Sequence, residues 1–413
     1  FCNANRLSEA FGVLETMRVR DVNPNEATVR SLVNGAFRCE APHTAFELVK
    51  KFVEKEQVFQ SLACDTLLCC LSNKSMATEA GSMLKKFLMR GYSPHSTTLN
   101  ITMACLIKGL DHSKTCEIVD LCIDCGIPLG FNIYLTLVEA LYKAGRGSDG
   151  DKYFHWMVQE GLLSHVFSYN MVIDCFCKVN MVDNASKAFD DMVEKCIAPN
   201  LVTFNTLISG HCKIGDIQRA KELLELLLEH RFKPDIFTFS SIIDGLCRVQ
   251  RIEDALGCLT EMVEWGISPN AVTYNTIIRS LCSTGDVGRS MRLLKRMEVE
   301  GISPDVFSFN ALIQSFCWMG KIEKAKKLLD SMLMSGLTPD NFTYGAFIKA
   351  FCELGRLDDA RQLFLSMEKH GSVPDSFLCN LILDNLADQG RFEEARSITK
   401  MCRLKGISVK SCP

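Results

Sequence analysis

The chain has 413 residues with a formal net charge of -3, and 47% of its residues are apolar. This apolar fraction is typical of a folded protein and excludes a largely disordered chain, while the nearly neutral charge excludes a strongly basic nucleic-acid coat. No stretch of about 18 residues is apolar throughout, so the sequence predicts no membrane span. The 21 cysteines, spread over a chain of this length, indicate a reducing compartment and buried thiols rather than disulfides.

A period of 35 residues organises the chain. A proline followed by Asn or Asp recurs six times at this interval, and the earlier pair Pro24-Asn25 lies five further intervals away. If the residue after each proline closes a repeat as its position 35, eleven complete repeats follow one another without an insertion. Residues 1–25 are a partial first repeat with only its second helix, residues 26–410 are the complete repeats, and residues 411–413 are a tail. Because the chain opens inside this pattern, we expect it to be a piece of a longer protein.

Each repeat predicts two helices. In the repeat that begins at Leu201, apolar residues at helical spacing predict a helix A that Gly215 ends, and a second apolar series predicts a helix B that ends before Pro234. A pair of this size cannot bury its apolar faces alone, so successive pairs must stack on one another. The predicted fold class is therefore all-α: a right-handed α-solenoid superhelix of 35-residue helix–turn–helix repeats.

The cysteines and histidines give no sign of a metal site. Cys122 and Cys125 form a CxxC pair without a second pair of ligands nearby, and the eight histidines show no zinc-binding pattern. The sequence therefore predicts no metal, no cofactor, no small-molecule substrate and no catalytic residue. Cysteine also occupies position 12, a packing position between helices A and B, in six consecutive repeats: Cys177, Cys212, Cys247, Cys282, Cys317 and Cys352.

The repeats resemble pentatricopeptide repeats. The resemblance rests on the 35-residue length, the Pro-Asp endings and openings such as Val-Thr-Phe-Asn-Thr-Leu-Ile from Val202. The unbroken period is similar to the pure-repeat class of plant organelles. The resemblance implies that a single-stranded RNA lies along the repeats with one repeat for each nucleotide, read by two or three side chains.

By this resemblance, the side chain at position 5 hydrogen-bonds the pairing edge of a base, and the side chain at position 35 helps to select it. The family's code would read five successive pairs as C or U, then U, A, U and U. We expect the position-5 side chains to line one open channel. The base-reading pairs are Asn170 with Asn200, Asn205 with Asp235, Ser240 with Asn270, Asn275 with Asp305, and Asn310 with Asp340.

The resemblance also implies two sets of residues that contact RNA without reading it. Apolar side chains at position 2 would wedge bases apart, although packing in the core is an alternative: Phe167, Val202, Phe237, Val272, Phe307 and Phe342. Cations at position 13 would contact phosphates, although a solvated helix end is an alternative: Lys143, Lys178, Lys213 and Arg248. Since no later repeat carries a cation at position 13, phosphate contact should fade towards the C-terminus.

The first four complete repeats, residues 26–165, lack these features. Their positions 5 and 35 hold pairs such as Arg30 with Gln60, so we interpret them as degenerate repeats that cap, space or bind protein. Residues 166–410 comprise seven repeats, of which the first five carry recognisable pairs.

Two functions remain open at this point. The first is sequence-selective binding of single-stranded RNA in organellar RNA processing, stability or translation, in mitochondria or alternatively in chloroplasts. The second is a protein-interaction scaffold on an organellar complex, such as a respiratory complex or a ribosome. The slightly acidic net charge and the degenerate repeats favour the second.

Overall fold

The computed structural model describes residues 6–55, 57–109, 111–367 and 372–410. These residues form 23 α-helices and no β-strand. Not one of the 23 combines the length and the apolar character that crossing a bilayer requires. The predicted fold class, an all-α solenoid of 35-residue helix–turn–helix repeats, is confirmed.

The helices alternate between A and B, and α1 (Leu7–Val19) precedes the first complete repeat. Ten of the eleven A helices begin at position 1 of their repeat: α2 (Glu26–Cys39), α4 (Gln57–Asn73, the exception), α6 (Ser96–Gly109), α8 (Phe131–Lys143), α10 (Val166–Lys178), α12 (Leu201–Ile214), α14 (Ile236–Arg248), α16 (Ala271–Ser283), α18 (Val306–Trp318), α20 (Asn341–Glu353) and α22 (Ser376–Asp388). Every B helix begins at position 17: α3 (Pro42–Lys55), α5 (Ala77–Met89), α7 (His112–Asp124), α9 (Gly147–Gln159), α11 (Val182–Glu194), α13 (Ile217–Glu229), α15 (Ile252–Glu264), α17 (Val287–Val299), α19 (Ile322–Met334), α21 (Leu357–Ser366) and α23 (Phe392–Leu404).

Caps explain why the helix boundaries follow the period. At seven junctions the residue at position 35 has extended backbone and its side chain accepts a hydrogen bond from the third amide of the next A helix, as Asp235 Oδ1 does from the Thr238 amide at 2.9 Å. Such a cap satisfies an amide that has no partner within the helix. At the other end of α12, Gly215 adopts a left-handed backbone with φ +85°, which a glycine tolerates without strain.

The chain divides into two compact units, residues 1–198 and residues 199–413. Within each unit, a helix A packs against the helix B of its own repeat and against the helix A of the next repeat. In the second unit, the aromatic side chains Phe204, Phe239 and Tyr274 at position 4 are completely buried, and so is Ala220 at the crossing of α12 and α13. The first unit repeats this arrangement with Tyr169.

The position-12 cysteines are structural. Five of the six are buried and Cys352 is half-buried, while all 19 cysteines in the described part of the chain are free thiols. Burial raises the pKa of the Cys212 thiol to about 12 and that of Cys247 to about 11. The thiolate is the reactive form of cysteine, and a raised pKa keeps these thiols protonated at neutral pH. Burial also keeps reagents from reaching them.

A thiol-labelling experiment tests this protection. In a brief iodoacetamide pulse at about pH 8, near the ordinary thiol pKa, we expect modification of Cys125 and Cys196, which are exposed. Cys212 and Cys247 should react only after denaturation, as peptide mass spectrometry would show. Rapid modification of Cys212 in the folded protein would contradict the packing described above.

Candidate nucleic-acid interface

One face of helix α14 stays exposed after the repeats stack, and most corresponding residues of the other A helices in the second unit are exposed or half-buried as well. An α-helix turns by about 100° per residue, so positions 2, 5, 9 and 13 lie within an arc of about 80°. In α14 these positions hold Phe237, Ser240, Asp244 and Arg248, all of them exposed or half-buried, while positions 3, 4, 7 and 8 are buried. We call the side chains at positions 2, 5, 9 and 13 of the A helices the A face.

The apolar side chains at position 2 are exposed on the A face. Between 53% and 75% of the surface of each one is open to solvent, so packing in the core does not account for them. A solvent-exposed phenylalanine in repeat after repeat is unusual, since exposed apolar surface is ordinarily covered in a binding partner. The residues are Phe167, Val202, Phe237, Val272, Phe307, Phe342 and Phe377.

The position-5 asparagines are tied to the next repeat by a hydrogen-bonded group of three residues. Asn205 Nδ2 donates to Asp235 Oδ1 at 3.1 Å, and Asn205 Oδ1 accepts from the Thr238 hydroxyl at 2.6 Å. Asp235 also caps α14 by accepting from the amide of Thr238. We call this arrangement, made of positions 5 and 35 and position 3 of the next repeat, the Asn–Asp–Thr triad.

The triad recurs at two further junctions of the second unit, with serine in place of threonine at one of them. Asn275 donates to Asp305 at 2.9 Å and accepts from Ser308 at 2.5 Å. The corresponding distances from Asn310 to Asp340 and to Thr343 are 3.1 and 2.6 Å. The same backbone spacing therefore produces the same bonds wherever the three residue types coincide.

The triad fixes the orientation of the asparagine carboxamide. A carboxylate can only accept hydrogen bonds, so the amide nitrogen must face the aspartate and the oxygen must face the hydroxyl. One N–H of the amide and one lone pair of its oxygen remain for another partner. Asn205 and Asn310 are only 7% and 5% exposed, so these two side chains are more covered than the open channel expected from the sequence.

The Ser240 junction is built differently. The hydroxyl of Ser240 lies 3.1 Å from that of Thr273, and Asn270 binds the amide and hydroxyl of Thr273 at 3.0 Å each. Thr273 therefore connects Ser240 to Asn270, the two residues that would read one base. In the part of the chain that the structure describes, Ser240 has no direct hydrogen bond to Asn270. The remaining predicted pair consists of Asn170 in the first unit and Asn200 in the second, so its pairing stays a prediction from the sequence.

Carboxylates one turn away neutralise three of the four predicted phosphate-binding cations. Lys143 pairs with Glu139 and Lys178 with Asp174, both at 2.5 Å, and Arg248 Nε lies 2.7 Å from Asp244. The pair with Asp174 raises the pKa of Lys178. Each pair joins position 13 to position 9.

Lys213 differs from these three cations. It is exposed and has Ser209 one turn earlier, and it forms no ion pair with any described residue. It is therefore the position-13 cation most available to a phosphate.

The first unit also contains a feature that the sequence did not suggest. A cavity of about 430 Å³ opens between α6, α8 and α10, although the repeats of α6 and α8 were interpreted as degenerate. Asn100 at position 5, Gly130 at position 35, Asn132, His165 and Phe167 contribute to its wall. A Cβ added at Gly130 would meet only the side-chain oxygen of Asn100, at 3.7 Å.

Reasoning from the sequence missed the role of position 3. Its side chain is a buried hydroxyl at Thr203, Thr238, Thr273, Ser308 and Thr343. The signal was present, because Asn or Asp followed three residues later by Thr or Ser is a helix-start pattern. Nothing in the pattern indicated that the same hydroxyl would also reach the preceding repeat.

Across the described ranges, no three His, Cys, Asp or Glu side chains lie close enough together to hold a metal ion.

Comparison with protein-family models gives matches over the region that carries the triads. The PPR repeat family model matches residues 164–213, 199–248, 241–283, 269–317 and 304–353, and the PPR repeat model matches residues 342–372. Together the two models cover just over half of the chain.

Individual proteins are similar to this chain in sequence or in structure. A pentatricopeptide repeat-containing protein of Arabidopsis thaliana, which is named as mitochondrial, is 52% identical over 85 residues, or 21% of this chain and 13% of that protein. The crystal structure of the maize pentatricopeptide repeat protein PPR10 is 18% identical with a TM-score of 0.43, covering 96% of this chain and 66% of that chain. Yeast Rmd9p, solved with a 16-nucleotide target RNA, is 12% identical with a TM-score of 0.43, covering 94% and 89%.

Proposed function

Because the chain belongs to the pentatricopeptide repeat family, we propose that it binds single-stranded RNA along the A face, with one repeat for each nucleotide. The observation that carries the proposal is the recurrence of an exposed apolar side chain at position 2 beside a polar side chain at position 5. Apolar side chains provide a surface for the faces of bases, and the polar ones can hydrogen-bond their edges.

The triad accounts for base selection in this proposal. The pairing edge of uracil presents a carbonyl acceptor and an N–H donor, and the triad leaves one amide N–H and one lone pair of the amide oxygen to meet them. Repeats with Asn205, Asn275 and Asn310 would therefore select U. The pair Ser240 with Asn270, in which serine is shorter than the asparagine of the other repeats, would select A. The four repeats together would then read U-A-U-U. A preceding C or U would be read if Asn170 and Asn200 act as a pair.

Affinity in this proposal comes chiefly from contacts that ignore sequence. A base held between the position-2 side chains of neighbouring repeats, such as Phe307 and Phe342, gains about 1–3 kcal/mol by stacking. Lys213 adds a phosphate contact that is sensitive to salt. These contacts would hold the strand while the triads choose the bases.

The biological role that follows is occupancy rather than catalysis. A protein bound along a transcript blocks exonucleases and keeps the bound segment from pairing, which alters RNA processing, stability or translation. The mitochondrial relative in Arabidopsis supports a mitochondrial location for this chain, and the chloroplast is the alternative.

Selection from a random RNA library tests the proposal. We expect enrichment of U-A-U-U, and binding to the selected RNA should weaken as salt rises, with a log–log slope of about -0.7 for each phosphate contacted. Failure to bind any RNA at low salt would reject the proposal and leave the protein-interaction scaffold. Metal-dependent cleavage of the selected RNA by the pure protein would show that binding is not the whole function.

A further inference from the structure

The order of the charged side chains at positions 9 and 13 of the A face changes along the second unit. In α14 the carboxylate of Asp244 stands at position 9 and the cation of Arg248 at position 13. In α16 and α20 the cation stands at position 9, as Arg279 and Lys349, whereas α18 and α22 hold Gln314 and Asp384 there. Position 13 then holds no cation, and in α20 it holds Glu353.

Helix stability does not explain this reversal. The C-terminal end of a helix carries partial negative charge, so a cation at position 13 is favourable there and a glutamate is unfavourable. An acidic residue four positions before a basic one is also better than the opposite order. Lys349 and Glu353 have the unfavourable order, and their charged atoms are 3.9 Å apart, compared with 2.5 Å for Lys178 and Asp174.

The two shifted cations are available to a ligand. Arg279 is exposed, and its closest acidic partner among the described residues is Asp244 at 3.9 Å, a carboxylate already bound by Arg248 at 2.7 Å. One carboxylate therefore lies between two guanidinium groups and leaves one positive charge in excess. Lys349 is likewise exposed and only loosely paired.

An exposed tryptophan stands between the two shifted cations. Trp318 takes position 13 of α18, and 74% of its surface is open to solvent. It shares a cavity of about 50 Å³ with Gln314 from its own helix and with Lys349 and Glu353 from α20. Trp318 and Lys349 therefore place an aromatic surface and a positively charged side chain on the wall of one cavity.

We propose that the phosphate-binding track of the second unit moves from position 13 to position 9 after α14. Arg279 and Lys349 contact phosphates there, and the indole of Trp318 packs against the ribose of a nucleotide between them. The proposal rests on the proposed RNA binding and adds three RNA-contacting residues to it. The strand would run four residues along the helix, about 6 Å, closer to the base-reading positions than it does over Lys213 and Arg248.

Two charge variants and one aromatic variant of the full chain test the shifted track. The double change Lys349→Glu with Glu353→Lys keeps net charge and composition but returns the cation to position 13. It should reduce the steepness of the log–log salt dependence of RNA binding by about 0.7 or more, and so should Arg279→Ala. Trp318→Ala should weaken binding about fivefold or more with the salt dependence unchanged, because packing of an aromatic ring against a ribose releases no counterions, and Trp318→Phe should restore most of the affinity.

Two control variants distinguish a failure of the shifted track from a failure of the proposed RNA binding. Lys295→Ala removes an exposed cation from α17, outside the A face, and should change neither affinity nor salt dependence. Lys213→Ala should weaken binding whichever position the track follows beyond α14. If Lys213→Ala weakens binding while the Arg279, Lys349 and Trp318 variants all match the unchanged protein, the shifted track is wrong and the proposed function stands. If the unchanged protein binds no RNA, both are wrong.

Discussion

A protein that carries both Ser240→Asn and Asn270→Asp is expected to prefer U at the third of the five proposed nucleotides, where the proposed code assigns A to the unchanged protein. The junctions on either side already contain Asn–Asp–Thr triads, at Asn205 and Asn275. Thr273 occupies the position from which Thr238 and Ser308 complete those triads. The two substitutions therefore supply the only members that this junction lacks.

The expected size of the change is about 1–3 kcal/mol in the preference for U over A, as for one good base contact. Binding to matched RNAs that differ only at the third nucleotide would measure it. The reciprocal double variant, Asn275→Ser with Asp305→Asn, is the matched control and should move the fourth nucleotide from U towards A. Unchanged preferences in both variants would mean that the assignment of repeats to nucleotides is wrong.

Gly245→Ala is expected to destabilise the second unit, although alanine is the better helix former. A Cβ at Gly245 would lie 2.7 Å from the Cβ and 3.0 Å from the Cα of Cys212, and 2.9 Å from the end of Ile217. The nearest obstacle includes backbone, so α12 and α14 must move apart. Overpacking of this kind costs about 1–3 kcal/mol.

Gly257→Ala provides the matched comparison within the same repeat. Gly257 lies inside α15 and is exposed, and a Cβ added there would meet no other atom within 4 Å. The same chemical change should therefore stabilise the protein by about 0.5–1 kcal/mol, the difference between the helix propensities of glycine and alanine. Urea unfolding followed by circular dichroism would show midpoints displaced in opposite directions. Equal midpoints for the two variants would contradict the close approach of α12 and α14.

The repeat architecture could be predicted from the sequence because it depends on local signals. The prolines, the capping residues at position 35 and the helical spacing of apolar residues all act within one repeat. The helices begin where those signals place them, as at Leu201 and Ile217. The exposure of the position-2 residues also follows from this spacing, since position 2 lies opposite the buried positions of helix A.

The contacts between repeats could not be predicted in the same way. Whether Thr238 reaches Asn205 depends on the distance between α12 and α14, which the period alone does not determine. The coverage of Asn205 and Asn310 follows from that distance, and so does the cavity beside Gly130. The cations Arg279 and Lys349 at position 9 are visible in the sequence. Their connection with RNA binding depends on the exposure of positions 9 and 13 on one helix face, which the structure shows.

The Asn–Asp–Thr triads also give base recognition a mechanical consequence. In a linear array, resistance to unfolding depends on how strongly each repeat couples to its nearest neighbours. In the proposed function, one asparagine amide both meets the nucleotide and bonds to the next repeat, so exchanging the base it recognises would also change that coupling. Base preference and the elasticity of the array would then depend on the same side chains.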